Sequence, residues 1–166
     1  MNTPEALTLN ARDGYALQAL RYPATGEVHG HLVIAGATGV PQLFYKNFAL
    51  FAAQQGYITL TVDYRGIGLS KPAELRGFEM DYLEWAFHDV AAAVDAMAHD
   101  SIPLFMVGHS FGGHAFGLLP NHDKVARFYT FATGAGWHGW MPRTEQFKVL
   151  LMWHVIGPLL TRWKGY

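Results

Sequence analysis

Cysteine is absent from the 166-residue sequence, which excludes disulfides and thiolate metal sites and suits a cytoplasmic location. Charge is also scarce. Only 15% of residues are charged, the formal net charge is -1 and no basic run occurs, so an extended phosphate-binding face and a nucleic-acid partner are not expected. Residues 1–10 lack the basic start and apolar core of a secretory signal, and they read as mature protein. Long apolar runs are missing too. Val149 to Leu160 is shorter than the roughly 20 residues that span a bilayer, and it contains His154, Gly157 and Pro158, so no membrane span is expected. What is abundant is core material: 51% of the residues are hydrophobic, enough for a single folded domain.

The apolar residues come in alternating blocks. Ala16 to Tyr22 alternates weakly, and His31 to Ala35 is a β-branched run that enters the turn Gly36-Ala37-Thr38-Gly39. Phe44, Phe48, Phe51 and Ala52 recur at helical spacing, with Gly56 where a helix would end. Tyr57 to Val62 reads as a buried strand. Asp81 can cap a helix with Glu84 three positions on, and Leu83, Phe87, Ala91, Val94 and Ala98 then share a face. Leu104 to Val107 is strand-like, a short helix follows Ser110, and Ala126 to Phe131 is a further strand. Strands separated by helices predict an α/β fold with a mostly parallel sheet covered on both faces. From Gly136 the pattern changes to an aromatic-rich helical stretch, about Glu145 to Trp163, which Pro158 is expected to kink or end.

Gly108-His109-Ser110-Phe111-Gly112 lies where the third apolar strand meets a helix. A serine hydroxyl is a weak nucleophile, so an enzyme that uses one must expose it, deprotonate it and stabilise the oxyanion that forms. A Gly-x-Ser-x-Gly turn exposes the serine on a strained backbone, and its glycines let strand and helix approach closely. It also aims the N–H of the following residue, Phe111, at the oxyanion. Two further stretches extend the pattern: Asp63-Tyr64-Arg65-Gly66-Ile67-Gly68-Leu69-Ser70, and Gly113 after the elbow. Together they are similar to the D-x-R-G-x-G-x-S and G-H-S-x-G-G motifs of α/β-hydrolases, in the serine-aminopeptidase-like or lysophospholipase-like group. The resemblance runs to about Thr133. It implies an α/β-hydrolase sheet with Ser110 as nucleophile and no cofactor, acting on an ester, thioester or amide of a small acyl substrate. It also places an oxyanion loop at residues 36–39, where the usual histidine is replaced by Ala35 and the backbone N–H of Ala37 or Thr38 is the second donor. The Asp63 loop is expected to be scaffold.

In such hydrolases the triad acid and histidine follow the serine on late loops. After Ser110 the acids are Asp123 and Glu145, and the histidines are His114, His122, His138 and His154; none falls where the resemblance puts a triad partner. His109 and His114 read as structural, as does the His29/His31 pair. The expectation is therefore the N-terminal part of a hydrolase core, residues 1–135, followed by the start of a cap or lid, residues 136–166, with the sheet cut before its last strands. The competing expectation is a non-catalytic remnant that binds an apolar ligand, a membrane surface or a protein. Trp137, Trp140, Phe147, Trp153 and Trp163 would roof an acyl pocket in a longer chain, and left uncovered they favour self-association.

Overall fold

The computed structural model describes residues 3–134 and 136–164. Its centre is one six-stranded sheet in the order β1-β2-β4-β3-β5-β6. The strands are β1 (Glu5–Asn10), β2 (Ala16–Tyr22), β3 (Gly30–Ala35), β4 (Tyr57–Val62), β5 (Leu104–His109) and β6 (Val125–Phe131). β1, β2 and β4 pair antiparallel, whereas β4, β3, β5 and β6 run parallel. β1 carries no signal used above; it forms because Leu7 and Leu9 alternate inward and Gly14, at φ 87°, lets the chain fold straight back.

Side chains alternate along each strand, so β3 serves both faces. Val33 and Ala35 join the cluster under α2 (Ala91–Met97) and α3 (Phe111–Ala115), whereas Leu32 and Ile34 join the cluster under α1 (Lys46–Gln54). A mostly parallel sheet with helices on both faces is thus observed. Two helix faces differ from the periodicity reading. α1 packs through Ala49, Ala52 and Ala53, while Phe44 and Phe51 stay exposed; small residues let the helix sit close to the sheet, which pushes the phenylalanine stripe aside. Ahead of α2 the chain makes a π-helical stretch, Trp85–Val90. The extra residue per turn rotates the buried face onto Trp85, Ala86, Asp89 and Val90 and leaves Leu83 and Phe87 exposed.

The described residues divide into two compact units, one running to Lys71 and including Met80–Thr133, the other comprising Pro72–Glu79 and the chain from Gly134 on. The second contains α4 (Arg143–Leu151), a π-helical stretch Met152–Ile156, and α5 (Gly157–Lys164). Pro158 does not end this helix. The Gly157 N–H reaches back to the Met152 carbonyl, and the widened turn accommodates the ring that would otherwise clash. No helix among the described residues is long and apolar enough to cross a membrane.

Candidate functional site

β5 ends at His109 and α3 begins at Phe111, so Ser110 alone turns the chain. Its φ is 50° and its ψ -109°, a conformation that costs a residue with a Cβ about 1–3 kcal/mol. The surroundings hold it there. The Ser110 N–H donates to the Phe131 carbonyl at 2.9 Å, and its own carbonyl accepts from the Gly113 N–H at 3.0 Å and the Thr133 hydroxyl at 3.3 Å. The three glycines are required by contact. A methyl group on Gly108 would overlap the Gly112–Gly113 backbone, one on Gly112 the Ala35 carbonyl, and one on Gly113 the Thr133 side chain.

The loop after β3 lies against this turn. The Gly36 carbonyl accepts from the Gly112 N–H and from the Tyr64 hydroxyl, each at 3.1 Å. The Ala37 N–H donates to Tyr45 Oη at 2.7 Å, and that oxygen is 3.0 Å from His109 Nδ1. Thr38 Oγ1 and Tyr82 Oη are 2.5 Å apart, and the Tyr82 ring meets Phe111 edge to face at 4.6 Å. Among the described residues the N–H groups of Thr38 and Phe111 have no acceptor. The turn and the loop are therefore brought together, with two unused backbone donors on residues that a tyrosine joins.

A family model described as serine aminopeptidase, S33, matches residues 26–164. The chain belongs to this family. It is 30% identical over 93 residues to the monoglyceride lipase of Saccharomyces cerevisiae, a stretch that covers 54% of this chain and 29% of that protein. A soluble variant of the same yeast lipase, solved with a substrate analog, superposes with a TM-score of 0.73 at 24% identity, covering 98% of this chain and 54% of that one. The α/β hydrolase GrgF from Penicillium sp. sh18 gives a TM-score of 0.68 at 18% identity, covering 99% and 56%. These likenesses show the α/β-hydrolase fold, and the S33 chain spans about half the length of each solved relative and under a third of the curated lipase.

Around the S33 site the Asp63 loop acts on the backbone. Buried Asp63 accepts from the Gln42 N–H at 2.7 Å, from Gln42 Nε2 at 3.0 Å and from the Leu69 N–H at 2.9 Å. Buried Arg65 reaches Asp89 at 2.8 Å, Asp13 at 2.6 Å and Glu84 at 2.8 Å. The hydrogen bond from Arg65 holds the Asp13 carboxyl below the usual range, whereas burial pushes Asp89 up against the pull of the same guanidinium. Glu84, expected to help cap a helix, is thus committed to Arg65.

Among the described residues no histidine is hydrogen-bonded to the Ser110 hydroxyl or to a carboxylate. His114 and His154 are exposed, and His122 Nδ1 contacts the Leu119 carbonyl at 3.0 Å. Sequence reasoning missed Tyr45 and Tyr82. Neither belongs to a motif, and the contacts from Tyr45 to His109 and from Tyr82 to Thr38 span 64 and 44 residues of chain.

Proposed function

We propose that this S33 chain carries the nucleophile and oxyanion side of a serine hydrolase that cleaves an ester of an apolar acyl group through an acyl-Ser110 intermediate. One observation carries the reading: Ser110 occupies a costly backbone conformation that scaffold needs alone do not call for, and strain of this kind concentrates where geometry serves chemistry. Ser110 Oγ attacks the carbonyl carbon, and the carbonyl oxygen becomes an oxyanion facing the free N–H groups of Phe111 and Thr38. Since Ala37 already donates to Tyr45, Thr38 is the better second donor of the two residues expected. The ester preference rests on the yeast lipase relative; no cofactor enters this mechanism.

The base is the open element, because no described histidine meets Ser110. In the complete hydrolase a histidine and an acid brought by a longer chain would supply it; without them, an oxyanion hole and binding leave only about 10³ of rate over water. The second reading, a non-catalytic binder of an apolar ligand, draws on that same absence and on an apolar hollow of about 260 Å³ between Ile34, Phe44, Phe48, Val107 and Phe131. A fluorophosphonate probe separates the two. Slow phosphonylation confined to Ser110, sparing the exposed Ser101 and lost in Ser110→Ala, supports the hydrolase; labelling no faster at Ser110 than at Ser101 supports the binder.

A further inference from the structure

We infer that Tyr45 is the positioning residue of the oxyanion loop, holding it through its hydroxyl from the sheet face opposite the Ala35 side chain. The inference rests on the Ser110 reading and deepens it. A trans peptide points its C=O and N–H in opposite directions, so holding the Gly36–Ala37 unit takes anchors on both sides. On one side the Gly112 N–H and the Tyr64 hydroxyl fix the carbonyl. On the other side Tyr45 Oη, at 2.7 Å, is the sole partner of the Ala37 N–H among the described residues.

The same oxygen lies 3.0 Å from His109 Nδ1, on the residue immediately before Ser110. Burial pushes the Tyr45 phenol up from its ordinary value, so it stays a neutral O–H. It accepts from Ala37 and shares a hydrogen bond with the imidazole, which ties the loop to the strand end that carries Ser110. The ring fits for a local reason. A Cβ at position 36 would sit 3.0 Å from Tyr45 Cε2, so Gly36 is the residue that admits the tyrosine.

This anchoring has a chemical consequence: it withdraws the Ala37 N–H from the reaction, and with the Ala37 carbonyl held by the Val40 N–H at 3.2 Å it leaves the next amide, that of Thr38, in one direction. The loop thereby presents one donor instead of two alternatives, and catalysis depends on a side chain that acts through the loop it holds.

Tyr45→Phe removes the hydroxyl and keeps the ring. Amide exchange read residue by residue should show Ala37 protected and Thr38 fast in the unaltered chain, with Ala37 at least about tenfold faster in Tyr45→Phe. Under a saturating fluorophosphonate series the maximal labelling rate of Ser110 should fall about tenfold, as expected for one lost hydrogen bond, while the half-saturating probe concentration stays put. An unprotected Ala37 in the unaltered chain overturns the inference without any variant. So does equal labelling of Ser110 in the two proteins. If the unaltered chain leaves Ser110 unlabelled while Ala37 is protected, the Ser110 reading is what has failed, and the catalytic role of Tyr45 falls with it.

Discussion

At the scale of single residues, Ser110 trades stability for geometry. At φ 50° a glycine would be relaxed, so Ser110→Gly should raise the unfolding free energy by about 1 kcal/mol, the relieved strain less the extra freedom of the unfolded chain. The same change should abolish probe labelling. Urea titration read beside labelling checks both halves; a destabilised glycine variant would mean that the turn is not strained. Gly112→Ala tests the opposite case, since its methyl group would overlap the Ala35 carbonyl and the backbone of β3 cannot rotate away as a side chain could. A loss of about 3 kcal/mol is expected in the same titration. The turn at Ser110 and its glycines could be read from the sequence because the motif occupies six consecutive residues, although the contacts that require Gly112 and Gly113 come from Ala35 and Thr133. Tyr45 was not legible, since it belongs to no motif and His109, 64 residues away, reaches it only in the finished sheet.

At the scale of elements, every strand from β2 to β6 could be read from its apolar run; in β3, β4 and β5 burial leaves little room for polar residues, whereas β6 is apolar in sequence yet mostly exposed. The helices were legible in existence and not in phase. Periodicity assumes 3.6 residues per turn, and a π-helical stretch breaks it at Trp85–Val90: Leu83 and Phe87 are exposed against expectation, whereas Ala91 and Val94 beyond it are buried as expected. The element most dependent on one side chain is the segment Trp85–Met97, held to the end of β4 by the Arg65 cluster. Arg65→Met would leave the buried Asp89 carboxylate with the backbone N–H of residue 65 and no cation beside it, at a cost of about 3–5 kcal/mol at neutral pH. Acid should narrow this deficit. Asp13, lowered mainly by the hydrogen bond from Arg65, gives the parent protein stability that is present above about pH 4 and lost as the pH falls below it. Asp89, raised by burial, gains a proton as the pH falls and so relieves the variant. Thermal melts of parent and variant taken from pH 7 to below about pH 4 should converge; parallel curves would show that the cluster is not ionic.

At the scale of the whole molecule, β6 is an edge strand whose outer side pairs with nothing among the described residues. Tyr129 is 62% exposed beside it, and Trp140, Trp153 and Trp163 are exposed in the second unit. Open edges and apolar patches both favour association. Light scattering should therefore give a mass above the 18.5 kDa of one chain, rising with concentration, and Tyr129→Lys should lower it. A monodisperse 18.5 kDa species across the concentration range would refute this. The strand order also sets a timetable for synthesis. The β1–β2 hairpin can close as soon as residue 22 is clear of the ribosome, because its partners are neighbours in sequence. β3 is flanked by β4 and β5, and β5 begins only at Leu104. At roughly 5–20 residues per second, the far edge of β3 waits about 4–14 s for its partner. During that interval the nascent chain displays His31-Leu32-Val33-Ile34-Ala35, an apolar and partly β-branched strand with one side unpaired, so trigger-type holdases that bind emerging apolar segments should crosslink there and release once β5 has been made.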